Sequence, residues 1–241
     1  MLITDKDKKW LSSKYPGLKS KQNKISGLVK FTAAYDDDAN SFRVINKDTL
    51  DEVKGLHLSG KFKIKIEERT NKSLSKLPAV FVEEVDPTSS RHFNQTDQSA
   101  CLCSPLEEEE FLSPEFLFQP FFTRLVIPFL YGQIFYSEKG YWPWTEYGHG
   151  IVGLLESYFK ANDPSKAQDC LDKLSKQDKQ TWERVQAALR QKSEIKGHTP
   201  CFCPRMDHIR RCHPDAWKGI LKLRKDLKNQ NINLESFFKN N

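Results

Sequence analysis

"LSGKFKIKI" (residues 58–66) alternates without a break. Phe62, Ile64 and Ile66 fall on one side, and Lys61, Lys63 and Lys65 on the other. A period of two predicts an antiparallel strand, half buried, with its apolar face on a core and its lysines in water. Upstream, "ISGLVKFTAAY" (25–35) is apolar and rich in strand formers, and "DDDAN" after it reads as a turn. Val44 and Ile45 place a further strand, and "LPAVFVEEV" (77–85) another, opened by a proline. Residues 5–15 predict a short helix that stops before Pro16.

After residue 111 the period changes. Residues 111–133 are aromatic, and Pro114, Pro120 and Pro128 cut them into short helical pieces. "HGIVGLLESYFKA" (149–161) carries Ile151, Leu154, Leu155, Tyr158 and Phe159 at helical spacing. Residues 164–175, 179–192 and 215–228 read as three more amphipathic helices. Strands first and helices after predict an α+β fold, an antiparallel sheet with helices on one face. We divide the chain at 195/196: residues 1–195 as the main domain with a helical extension, and 196–241 as a small tail domain.

The net charge of +6 is unevenly spread. Residues 1–30 hold eight lysines against two aspartates, whereas residues 83–115 hold nine acids against Arg91 alone. Neither basic end shows the basic–aromatic interleaving of a nucleic-acid module, so no nucleic-acid partner is expected. "MLITDKDKKW" has no apolar signal-peptide core, and no run nears eighteen apolar residues. The expectation is a cytosolic protein without membrane spans. In a reducing compartment its six cysteines serve as ligands or catalysts rather than disulfides.

Four of the twelve Cys and His residues cluster. Cys201, Cys203, Cys212 and His213 form C-x-C-x8-C-H, three thiols and one imidazole in thirteen residues. That is a full tetrahedral set for zinc, with no position left for water, so the ion is expected to be structural. His208 is an alternative to His213. The spacing resembles the SEC-C zinc motif, C-x-C-G-S-G-x5-C-[CH], with Pro204, Arg205 and Met206 in place of Gly-Ser-Gly.

Cys101 and Cys103 form a second C-x-C, inside the patternless stretch 86–114. His92 and the carboxylates Glu107–Glu110 offer weak metal partners. Cys170 reads as a core residue of a helix. The alternative is a reactive thiol: Asn94 can donate to an oxyanion, and His92 can act as a base or pin the loop. Cys103 is a competing nucleophile.

The order strand, Leu-Pro strand, His92-Phe93-Asn94, Cys101-Leu102, helices resembles ubiquitin-conjugating enzymes, whose pattern is His-Pro-Asn, a short gap, then Cys-Leu. "LPAVFVEE", "RHFNQTDQSACL" and "EYGHGIVGLLESYF" look like the stand-alone conjugating proteins of bacterial CBASS antiphage operons, over roughly residues 20–160. The resemblance implies a ubiquitin-conjugating fold and acyl transfer through a Cys101 thioester. Asn94 would serve the oxyanion and the loop, with His92 beside it. The cargo would be the C-terminus of a cGAS-like nucleotidyltransferase, and the acceptor a lysine or another amine on a target. The chain has no glycine-rich nucleotide loop, so adenylation is not evident in it; activation would come from another protein, a separate activating enzyme, or by a route the sequence does not show. Two other readings stay open: a binding adaptor with a silent cysteine, and a cysteine hydrolase using His92 or His149.

Overall fold

The computed structural model describes residues 3–45, 53–69, 75–94, 96–104, 106–144, 148 and 150–240. The chain forms two compact units. The first comprises Met1–Cys103 with Glu108–Glu146, and the second Ser104–Glu107 with Tyr147–Asn241. The division therefore does not fall at 195/196. The helices expected as an extension of the first domain pack with the Cys/His tail, because their apolar faces share one core with the terminal helices.

The first unit opens with α1 (Asp5–Lys14). Thr4 and Asp7 cap it reciprocally: each side chain accepts the other's backbone N–H at 3.1 Å. Five strands follow among the described residues: β1 (Leu18–Lys21), β2 (Lys24–Asp36), β3 (Ser41–Val44), β4 (Leu56–Glu67) and β5 (Ala79–Val82). They form one antiparallel sheet in the order β1-β2-β4-β5, with β3 also on β2. The alternation in β4 is borne out: Phe62, Ile64 and Ile66 are buried, opposite Val29, Gly27 and Ile25. β5 is shorter than the sequence suggests. The Glu84 carboxylate accepts the Lys63 N–H at 2.8 and 3.0 Å, taking the place of a ladder carbonyl, and the chain turns away at Glu83–Glu84.

Helices α2 (Glu108–Leu112), α3 (Phe118–Phe121) and α4 (Ile127–Lys139) complete the unit, with a π turn at Phe122–Val126 before α4. Pro128 explains that turn. It has no N–H for the carbonyl four residues back, and its ring crowds that carbonyl, so the helix widens there. Phe118, Phe121, Phe122, Leu130 and Tyr131 join the inner face of the sheet in one core. Burying a side chain of this size contributes about 1.5–3 kcal/mol. The fold is α+β with an antiparallel sheet, as the sequence predicts.

The second unit is helical: α5 (Gly150–Ala161), α6 (Ala167–Ser175), α7 (Lys179–Arg190), α8 (Ile209–Cys212), α9 (Pro214–Asn229) and α10 (Leu234–Asn240). Helices α5 and α9 cross closely at Gly219, where a Cβ would stand 2.0 Å from the Leu155 carbonyl oxygen. Buried Tyr158 donates its hydroxyl to Asp226 Oδ2 at 2.8 Å, and Lys222 Nζ reaches the same oxygen at 2.9 Å. Cys170 is fully buried, and burial pushes its thiol up to about 12. Among the described residues no helix is long and apolar enough to cross a membrane.

Candidate functional site

The loop of the first C-x-C is built from its backbone. A 3-10 turn, Ser89–Arg91, ends on His92, whose φ of 55° lies in the left-handed region. The chain then runs out through Phe93 and Asn94 and returns through Ser99, Ala100 and Cys101. Phe93 bridges Ala100 in antiparallel fashion. Asn94 N–H donates to the Ser99 carbonyl at 2.8 Å, and Cys101 N–H to the His92 carbonyl at 2.7 Å. Ala100 N–H donates to the Val80 carbonyl at 2.7 Å, tying the return strand to β5. The structure thus brings His92, Asn94 and Cys101 onto one short ribbon. Cys101 and Cys103 are half-buried, and none of the six cysteines is in a disulfide.

Asn94 turns its amide inward. Nδ2 donates to the Ser99 hydroxyl at 3.0 Å and the Ser99 carbonyl at 3.2 Å, with the Ala100 carbonyl at 3.5 Å. In this structure its donors build the loop. Ser99, fully buried, is the hub. Its hydroxyl accepts from Asn94 and, at 2.9 Å, from Arg69 Nη1, so its single hydrogen goes to Asp97 Oδ1 at 2.7 Å. The other Asp97 oxygen pairs with the buried Arg69 guanidinium. The His92 ring stands edge-on to Trp142, centroids 4.5 Å apart. Trp142 Nε1 donates to the Ser90 carbonyl at 3.2 Å, and buried Gln133 donates to the Arg91 carbonyl at 2.8 Å. His149 lies outside the described residues.

Sequence reasoning missed Arg69, Asp97, Ser99, Gln133 and Trp142. Arg69 stands 28 residues before Asp97, and nothing in the spacing announces that pair. Glu107–Glu110, taken as possible metal partners of this C-x-C, include two whose carboxylates accept backbone N–H groups. Glu107 accepts the Ser104 N–H at 2.9 Å, and Glu108 the Lys76 N–H at 2.6 Å.

The second cluster gathers completely. The donor atoms of Cys201, Cys203, Cys212 and His213 all lie within 4.8 Å of one another, the one such group of three or more Cys, His, Asp or Glu among the described residues. Cys201 Sγ stands 3.3 Å from His213 Nδ1, and Cys203 Sγ 3.5 Å from Cys212 Sγ. A tetrahedral ion with bonds near 2.3 Å needs sulfurs about 3.8 Å apart, so the set can hold a metal ion. A short hairpin supplies the first pair, closed by Cys201 N–H on the Asp207 carbonyl at 2.7 Å and Met206 N–H on the Cys203 carbonyl at 3.2 Å. Met206 adopts φ 55°, so the turn is left-handed where the resembled motif has glycine. Helix α8 ends on Cys212 and delivers the second pair. His208 is exposed, its ring facing His198, and is not in the group.

Burial pushes the Cys201 thiol up to about 12. Burial also acts to raise Cys203, but bonds from Cys212 and the backbone of Arg205 and Met206 outweigh it and hold the thiol below its ordinary value. His213 is lowered by burial and by Arg205. A bound cation compensates thiolates directly. Two arginines brace the site: Arg205 Nη2 lies 3.3 Å from Cys212 Sγ, and Arg184 donates to the Cys201 carbonyl. No family model, curated protein or solved structure matches this chain.

Proposed function

We propose that the chain is a cysteine-dependent acyl transferase of the ubiquitin-conjugating type, with that fold in its first unit and a structural zinc ion on Cys201, Cys203, Cys212 and His213. The observation that supports it is the ribbon pairing Cys101 with His92 and closed by Asn94. It follows an antiparallel sheet and precedes helices, in the order the resemblance requires. The Cys101 thiolate attacks the activated C-terminal carbonyl of a partner, the activating group leaves, and a thioester forms. An amine then attacks that carbonyl, the amide bond forms, the amine gives up a proton and the Cys101 thiolate departs. The cargo is the C-terminus of a cGAS-like nucleotidyltransferase in antiphage defence, activated by a separate enzyme and delivered to a target amine. Zinc fits three thiols and an imidazole with no open position, which makes it a folding element and not a reactant.

Mass spectrometry of the protein isolated with its operon partners tests this. A partner joined to Cys101 and released by thiol treatment is expected. Cys101→Ser should give an adduct resistant to thiols, and Cys101→Ala none. A second reading, a binding adaptor with a silent cysteine, draws support from the inward amide of Asn94. It requires Cys101→Ala to keep full biological activity.

A further inference from the structure

The outer face of the sheet carries a lattice of lysines that the linear sequence scatters. The inner faces of β2 and β4 are buried, so the alternate positions point to solvent. There Lys30 stands directly opposite Lys61. Lys63 stands opposite Leu28, and one step further a row runs across four strands: Lys19, Ser26, Lys65, Phe81. Like charges placed directly opposite destabilise a sheet. Lys30 and Lys61 lie where β2 and β4 pair only with each other, but Lys65 lies in a stretch paired on both sides, so edge protection does not account for the whole set. Carboxylates answer only part of the charge. Glu67 pairs with Lys24 and Lys65 at 2.9 and 3.0 Å, and Glu83 with Lys63 at 3.7 Å. Lys19, Lys30 and Lys61 are exposed, with no carboxylate partner among the described residues.

We infer that this face is a docking surface for the phosphate backbone of single-stranded nucleic acid. Charge complementarity selects a polyanion. Lysine is depleted in the cores of protein–protein interfaces, where aromatic residues and arginine dominate, and this face is the reverse. Neighbouring strands set lysine backbones about 4.8 Å apart and alternate residues about 6.6 Å apart, a grid from which flexible lysine stems can reach successive phosphates. A five-stranded sheet is too broad for a duplex groove, which admits one helix or a two-stranded ribbon. A single strand can lie flat. Phe81 ends the row with Lys65 Nζ over its ring, 4.5 Å from the centroid, and the Thr32 and Ser59 hydroxyls pair 2.8 Å apart next to Lys30 and Lys61. The surface was invisible in the basic ends taken alone, because only strand register brings Lys19 and Lys30 beside Lys61–Lys65.

Fluorescence anisotropy of a labelled thirty-nucleotide oligo-dT, titrated with the full chain between 25 and 200 mM salt, tests it. Binding that weakens with salt is expected, each phosphate contact adding about −0.7 to the log–log slope. Lys30→Gln/Lys61→Gln/Lys63→Gln should lower the affinity at least tenfold at low salt and flatten the slope by about 2. The reversal Lys176→Glu/Lys225→Glu/Lys228→Glu, in the second unit, should change it less than threefold. Circular dichroism confirms that each variant folds. Unchanged binding by the glutamine triple, tighter binding to a duplex of equal length, or binding to phosphatidylserine vesicles with none to the oligonucleotide would each overturn the assignment.

Discussion

Cys101 donates its backbone N–H to the carbonyl of His92 across 2.7 Å, so the two residues face each other over a closed ribbon. The thiol's position is therefore set by backbone pairing, and the pairing by a polar cluster inside the loop.

Asn94→Ala removes that cluster's donor. We expect a loss of about 1–3 kcal/mol in chemical denaturation, since Ser99 loses a buried partner. Faster iodoacetamide labelling of Cys101 should accompany it. A variant of unchanged stability whose transfer rate falls about 10²-fold would instead make Asn94 an oxyanion donor.

Asp97→Asn leaves the Arg69 guanidinium buried without its counter-charge, at an expected cost of about 3–5 kcal/mol. Arg69→Met/Asp97→Asn should cost less than Asp97→Asn alone. A double-mutant cycle in urea measures the difference, and strict additivity would show that the pair is not coupled.

Metal analysis of the purified chain should give one zinc per molecule. Strong chelation should lower the thermal midpoint, and His213→Ala should abolish stoichiometric binding. A metal content near zero in folded protein excludes the assignment.

Met206→Gly should stabilise the metal-loaded protein by about 1 kcal/mol, because glycine takes the left-handed conformation without the Cβ clash. The reading is the thermal midpoint; a fall would mean that the Met206 side chain does more than tolerate the turn.

Two carboxylates of the second unit should titrate stability in opposite directions. Burial raises the pKa of Glu156, against the bond its carboxylate accepts from Gly148 N–H at 2.6 Å. Its contribution is complete below the unfolded value near 4.3 and is lost as pH rises through the folded one. Glu156→Gln should therefore be stabilising at pH 7 and neutral below pH 4. Burial acts to raise Asp226 too, but Lys222 and Tyr158 outweigh it and the pKa is lowered. Its contribution is present above about 3.9 and lost as pH falls through the folded value. Asp226→Asn should cost about 1.5–3 kcal/mol at pH 7, the gap closing in acid.

The strands and most helices could be read because their information is local. Period two in β4, the prolines that bound α1 and interrupt the approach to α4, and the helical spacing in α5 and α9 each lie within a dozen residues. Cys201, Cys203, Cys212 and His213 were legible for the same reason: ligands close in sequence stay close in a small hairpin. Arg69, Ser99 and Trp142 were not. Their partners lie tens of residues away, and a buried serine looks like any other until its three bonds are seen. The domain boundary was misplaced because helical amphipathicity announces a face to be covered and does not say what covers it.

Leu106, sealed in the core of the second unit, has a practical outcome. The chain leaves the first unit for Ser104–Glu107 and then returns, so no single cut separates the halves cleanly. On the ribosome Leu106 emerges long before Ile151 and Leu154, its core companions, and must wait for them. A fragment truncated at 146 keeps that leucine without its covering helices, and should be sticky in solution where the full chain is not.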